Sequence, residues 1–187
     1  MIASDNFNFV CIQIPHTGST SMGRWCRGFY AGRKIQTKHE WRVPEEFQSY
    51  FKFTLVRNPY DRMFTWWWFT KERDNDQRSF SEFMEYMLDV KENPPNDVLR
   101  VPNFFDPQYR WVERAGVDLW IRLKDLPDAL CDLPFTGGRD RSISQFPHKN
   151  KTTTKPAKDP KEYFTRKELD LVVEHSRKDF EVFGYEI

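Results

Sequence analysis

The sequence predicts an α/β protein built on a parallel sheet, and three observations predict it. Two apolar runs, Phe9-Val10-Cys11-Ile12-Gln13-Ile14 and Phe51-Lys52-Phe53-Thr54-Leu55-Val56, each stop at a polar turn and give way to residues with helical apolar spacing. A third run, Val117-Asp118-Leu119-Trp120-Ile121-Arg122, follows after helical segments. Strands separated in this way pair in parallel through crossovers, and a ligand then sits beyond their carboxyl ends.

The first run ends at Pro15 and enters His16-Thr17-Gly18-Ser19-Thr20-Ser21, after which Met22, Trp25, Cys26 and Phe29 recur at helical spacing. A loop feeding a helix points unpaired backbone N–H groups and the positive end of the helix dipole at one spot. Thr17, Ser19, Thr20 and Ser21 add hydroxyls there, and the spot suits a phosphate or sulfate. The same composition also describes a turn with a good N-cap and no ligand.

From Gly32 to Gln48 the chain is a polar connection carrying Lys34, Lys38, His39, Glu40, Trp41, Arg42 and Pro44. A lone histidine in such a loop is ordinarily solvated or a local hydrogen-bond partner. The second strand then ends in Arg57-Asn58-Pro59-Tyr60-Asp61-Arg62, where Asn58 is the expected N-cap and Pro59 the first helical residue. The helix continues through Met63-Phe64-Thr65-Trp66-Trp67-Trp68-Phe69, apolar all round and therefore expected to be buried on most sides. By itself Arg57 reads either as an anion ligand or as a partner of Asp61.

Ser79 and Glu82 form a capping box that opens a helix with Phe83, Met84, Met87 and Leu88 inward, ended by Asn93-Pro94-Pro95-Asn96-Asp97. Residues 98–110 read as irregular, with Phe104 and Phe105 packed on the core. After the third strand, Leu126 to Cys131 reads as a short helix. Gly137 to Glu162 is basic and rich in proline, either a solvated loop or a lid over a ligand. Thr165 with Glu168 caps a last helix, whose face Leu169, Val172, Val173, Ser176, Phe180 and Phe183 is expected inward and which Gly184 stops.

At 187 residues the chain is expected to be a single domain, residues 1–187, with a core rich in its seven Trp and seventeen Phe. Charged residues make up 30% with a formal net charge of +1, so no global field favours nucleic acid and any anion site is local. Cys11, Cys26 and Cys131 are odd in number and unclustered, which argues against a disulfide framework or a zinc site and suits a reducing compartment. Met1 to Asn6 lacks the features of a leader peptide, and no apolar run approaches about eighteen residues. The expectation is a soluble, cytoplasmic protein with no membrane partner; nothing in the sequence fixes an oligomeric state.

Pro15-His16-Thr17-Gly18-Ser19-Thr20-Ser21 resembles the 5'-phosphosulfate loop of sulfotransferases that use 3'-phosphoadenylyl sulfate (PAPS), with His16 where that family has lysine. Arg57-Asn58-Pro59-Tyr60-Asp61-Arg62-Met63-Phe64-Thr65 is similar to the family's 3'-phosphate motif, with threonine for the closing serine. Pro147-His148-Lys149-Asn150-Lys151-Thr152 resembles a stretch of carbohydrate sulfotransferases. The resemblance implies a P-loop NTPase-like three-layer sandwich with a small central parallel sheet, of sulfotransferase type. It implies transfer of sulfuryl from PAPS to a hydroxyl of a carbohydrate or other small acceptor, with adenosine 3',5'-bisphosphate (PAP) as product and no metal.

Carried onto this chain, the resemblance gives cofactor binding to His16, Thr17, Gly18, Ser19, Thr20, Ser21, Arg57, Thr65, Asn150 and Lys151. His39 stands where the heparan 2-O-sulfotransferase group has its histidine base, and Glu40 is the alternative. Charge on the leaving oxygen falls to His16, or else to Lys38, Arg62 or a lysine of the late loop. Trp41, Trp111 and Tyr109, if exposed, suit sugar stacking. Two other readings are a P-loop nucleotide kinase, opposed by the lack of G-x-x-x-x-G-K-[ST], and an inactive sulfotransferase-like binding protein, favoured by His16.

Overall fold

The three apolar runs become three neighbouring strands of one sheet. The computed structural model describes residues 1–92, 104–137, 141–147 and 159–187. The chain divides into two compact units, Met1–Arg57 with Arg110–Lys151, and Asn58–Tyr109 with Thr152–Ile187.

In the first unit β1 (Ile2–Ser4), β2 (Phe9–Ile12), β3 (Arg33–Lys34), β4 (Phe51–Val56) and β5 (Leu119–Arg122) lie in the order β3-β1-β2-β4-β5. The pairs β2/β4 and β4/β5 are parallel, as the sequence implies. The short strands β1 and β3 were not expected, and β1 pairs antiparallel with both β2 and β3. The fold is therefore α/β with a mixed sheet, its parallel core extended by an antiparallel edge. Val117 and Asp118 precede β5 rather than belonging to it; the Asp118 carboxylate accepts the Lys52 N–H at 2.7 Å and its own N–H returns to the Lys52 carbonyl at 2.8 Å. That exchange pins the β4/β5 register at the end opposite the site.

Helix α1 (Ser19–Phe29) buries Met22, Trp25 and Cys26 with Phe9, Cys11, Phe53, Leu55 and Ile121, the inward-facing set of the sheet's residues. Trp25 donates its indole N–H to the Ser142 carbonyl at 3.1 Å, so its polar atom is satisfied inside the core. Phe29, the last residue of α1, is 40% exposed. Val10, Ile12, Thr54 and Val56, which alternate with the first set, are buried as well, as near-continuous apolar strands of parallel sheets usually are.

The second unit is helical. Asn58 caps α2 (Pro59–Asp74) by accepting the Tyr60 N–H at 2.9 Å, with Pro59 opening the helix as expected. Met63, Phe64, Trp66 and Trp67 are buried, whereas Phe69 is exposed and Trp68 half-buried, so the apolar stretch is not enclosed on all sides. Helix α3 (Phe80–Glu92) starts at the Ser79/Glu82 box. Phe80 stacks on Phe164 with ring centroids 3.9 Å apart. Residues 98–110, expected to be irregular, include the start of α4 (Gln108–Ala115).

Leu126 to Cys131, read as one short helix, is a 3-10 turn over Asp128–Asp132 preceded by another at Leu123–Asp125. Short helices α5 (Arg141–Ser144) and α6 (Pro160–Tyr163) precede α7 (Arg166–Phe183), which opens on the complete Thr165/Glu168 box and ends at Gly184. Val172, Val173, Ser176, Phe180 and Phe183 are buried as its pattern required, with Leu169 half-buried. Asn93 to Asp97, Asn150, Lys151 and most of the basic stretch lie outside the described residues. Among the described residues no helix is long and apolar enough to cross a membrane.

Candidate active site

The site grows from the exit of β2. Residues 13–18 turn from strand to helix with two left-handed positions, His16 at φ 61° and Gly18 at φ 83°. Glycine adopts that conformation freely and other L residues at a cost. A Cβ on Gly18 would also meet Leu123 Cδ1 at 2.8 Å, so the Leu123 side chain would have to shift to admit one. Gly18 is the N-cap of α1 and supplies no side-chain cap. The first-turn N–H groups of a helix have no intrahelical acceptor, and an anion is the natural substitute.

The loop hydroxyls have different duties. Thr17 is buried and donates to the Ile14 carbonyl at 3.0 Å, bracing the turn from within. Ser19 and Ser21 are buried, and Thr20 is half-buried. Gln13, which the sequence reading passed over, donates its amide to the Ser19 carbonyl at 2.8 Å and thereby ties the strand end to the helix start. The signal was available: a polar residue within an apolar run needs a partner once buried.

Two further segments reach the loop. Because β2 and β4 are parallel, with Ile12 beside Thr54, their exits lie side by side. Arg57, the residue after β4, donates Nη1–H to the His16 carbonyl at 3.3 Å and is half-buried. From the connection after β3, Lys38 donates Nζ–H to Thr20 Oγ1 at 2.7 Å. Lys38 as a residue is exposed, yet desolvation near the loop lowers the pKa of its ammonium.

His39, itself at φ 65°, places Nδ1 2.7 Å from the Gln13 carbonyl oxygen. A carbonyl only accepts, so Nδ1 carries the proton of the neutral ring and the basic lone pair is on Nε2. Glu40 spends its Oε1 on the N–H groups of Trp41 at 2.9 Å and Arg42 at 3.0 Å, a turn-stabilising arrangement.

Two of the other sequence candidates, Arg62 and Thr65, belong to the second unit. Arg62 is fully buried in the second unit, where its guanidinium donates to the Asp106 carbonyl at 3.1 Å and the Phe104 carbonyl at 3.0 Å. Desolvation lowers its pKa to about 10, against the pull of Asp179 and Asp106. Thr65 is half-buried on α2 of that unit. Trp111 is 1% exposed and Tyr109 half-buried, so the expectation of an exposed Trp111 is corrected: its helix turns the indole inward. Trp41 is half-buried with the Arg42 and Arg114 guanidiniums 5.1 and 5.6 Å from its ring. Among the described residues no group of three or more His, Cys, Asp or Glu is placed to hold a metal ion.

A glycine-kinked strand-to-helix loop, an arginine from the exit of β4 against it and an oriented histidine come together at the strand exits of this α/β protein. The model of the Sulfotransferase family matches residues 1–186, and the chain belongs to that family. Sulfuryl transfer is accordingly its general activity. No curated protein and no solved structure matches the chain.

Proposed function

We propose that the protein moves the sulfuryl group of PAPS to a hydroxyl of a carbohydrate or other small acceptor by in-line displacement. The observation that carries this reading is the Arg57 Nη1 contact with the His16 carbonyl, which sets a guanidinium against the phosphate-type loop. The left-handed backbone of Gly18 supports it, since the turn it permits leads directly into the first-turn N–H groups of α1. PAPS supplies, when bound, an activated sulfuryl group on a phosphate leaving group.

The chain's own residues provide positioning and charge, which is most of what such a transfer asks of a protein. His16, Gly18, Ser19, Thr20 and Ser21 hold the phosphosulfate end through backbone and hydroxyl donors, with Thr17 bracing them. Arg57 and Thr65 take the 3'-phosphate, the roles their motif gives them. Asn150 and Lys151, outside the described residues, keep the cofactor contact their own motif implies.

His39 is the base: its Nδ1–H is anchored, so Nε2 is the atom that receives the acceptor's proton. Glu40 is less suited, its Oε1 being engaged by two backbone N–H groups. Incubation with sulfur-labelled PAPS and a panel of glycans and simple alcohols tests the proposal. Label transferred to an acceptor supports it; PAPS left intact across the panel, with no PAP binding, rejects it.

A further inference from the structure

The reaction proposed above leaves an electron pair on a phosphate oxygen, and the loop that would face it is poor in fixed charge. From Pro15 to Ser21 the one ionisable side chain is His16, and an imidazole is only partly protonated near neutral pH. Arg57 is committed to the His16 carbonyl and, by its motif, to the far phosphate. Among the described residues a further charge reaches the loop from a separate segment, the Lys38 ammonium on Thr20 Oγ1 at 2.7 Å.

Thr20 belongs to the first turn of α1, where backbone N–H groups and the helix dipole already favour an anion. An ordinary exposed lysine is fully hydrated, whereas desolvation lowers the pKa of this one, so its ammonium is already partly stripped of water. The next residue is His39, whose left-handed backbone turns the chain and brings the imidazole to the Gln13 carbonyl. Two consecutive side chains thus reach the two ends of the same loop, one at its strand side and one at its helix side.

We propose that Lys38 is the catalytic cation of the phosphosulfate end, stabilising the charge that builds on the leaving phosphate oxygen. The inference rests on the sulfotransferase reading given above. In the step it serves, the acceptor oxygen bonds to sulfur while the bond from sulfur to the phosphate oxygen breaks. The electron pair stays on that phosphate oxygen beside the Lys38 ammonium, and the acceptor's proton passes to His39 Nε2. One segment therefore delivers the cation and the base together, and a histidine at position 16 is tolerated because the charge comes from position 38.

The competing role is a pin, in which Lys38 only fastens the connection to α1. A pin needs a hydrogen-bond donor, while a catalyst needs charge. Lys38→Gln and Lys38→Arg separate these, measured by turnover with labelled PAPS and by calorimetric titration of PAP, with thermal unfolding to verify that both variants are folded. Lys38→Gln is expected to lower kcat by about 10²- to 10³-fold, as loss of a preorganised charge-stabilising donor does, with PAP affinity changed by less than about tenfold. Lys38→Arg is expected to keep most of kcat. If the wild type turns over PAPS and Lys38→Gln matches its kcat, or both variants fall equally, the inference about Lys38 is overturned alone. If the wild type neither binds PAP nor turns over PAPS, the reading beneath it fails as well.

Discussion

His39 gives its Nδ1 proton to the Gln13 carbonyl across 2.7 Å, and this one contact decides which nitrogen of the ring is basic. It also joins the proposed base to the strand that carries the proposed phosphosulfate loop, because Gln13 stands between β2 and that loop and its amide fixes the start of α1.

The first prediction follows from that arrangement. His39→Ala should keep PAP affinity near the wild-type value and lose turnover by about 10²- to 10⁴-fold, the usual worth of a general base. Steady-state rates with PAPS alongside calorimetry with PAP measure both. Unchanged turnover removes His39 from the chemistry and returns Glu40 to consideration.

Arg57 acts on binding instead. Replacing it with alanine removes a charge-assisted hydrogen bond worth about 1.5 to 3 kcal/mol, so PAP affinity should fall roughly 10- to 150-fold. Arg57→Lys should recover little, because an ammonium cannot present the guanidinium fork to the His16 carbonyl and a phosphate at once. Wild-type affinity in Arg57→Ala would show that the 3'-phosphate is held elsewhere.

Gly18 tests the loop's backbone. Alanine there must adopt φ 83° with its Cβ 2.8 Å from Leu123 Cδ1. Left-handed backbone alone costs about 1 to 2 kcal/mol, and chemical denaturation should show at least that loss. The variant should also bind PAP more weakly. A Gly18→Ala protein of undiminished stability would mean that the turn is looser than its dihedral angles imply.

A fourth prediction concerns the second unit. The Asp179 carboxylate accepts the N–H groups of Gln108 at 2.9 Å and Tyr109 at 2.8 Å, capping α4 from a distant helix. Burial pushes its pKa up, with Arg62 and the three N–H donors around it pulling down without cancelling the rise. The native state then binds more protons than the unfolded state between the ordinary value of 3.8 and the raised one. This contribution to stability is therefore fullest below the ordinary value and declines as pH rises through the raised one. Asp179→Asn should cost about 0.5 to 2 kcal/mol through the weakened cap, and its deficit against the wild type should narrow as pH rises out of the ordinary Asp range. A deficit that widens with pH would reverse the sign of the shift. Arg62→Ala, which removes the buried donor to the Phe104 and Asp106 carbonyls and the positive charge that offsets the buried Asp179 carboxylate, should cost more, about 3 to 5 kcal/mol.

What the sequence made legible was local. The capping boxes at Ser79/Glu82 and Thr165/Glu168, the Asn58-Pro59 start and the run from Phe51 to Val56 are each encoded by neighbours in the chain, and each was observed as expected. The antiparallel edge was not legible. β3 is two exposed charged residues, Arg33 and Lys34, with no apolar period to mark it, and β1 is defined by partners as far along as Lys34. Phe69 was misjudged because an apolar run does not say where along the helix the cover ends. In the site, residue types pointed to the loop, but Lys38 on Thr20, Arg57 on His16 and His39 on Gln13 are contacts between segments that only folding brings together. The same is true of Arg62: the motif marks it, and only its burial among carbonyls shows that it serves the scaffold.

The central claim is that the exits of β2 and β4 grip one nucleotide by its two phosphate-bearing ends. Calorimetric titration of the wild type with PAP and with adenosine 5'-phosphate, which differ only in the 3'-phosphate, tests it most directly. The account predicts one-to-one binding of PAP, at least about tenfold tighter than adenosine 5'-phosphate, the margin expected of one charge-assisted phosphate contact. Equal affinity for the two nucleotides, or no binding of either, would contradict it.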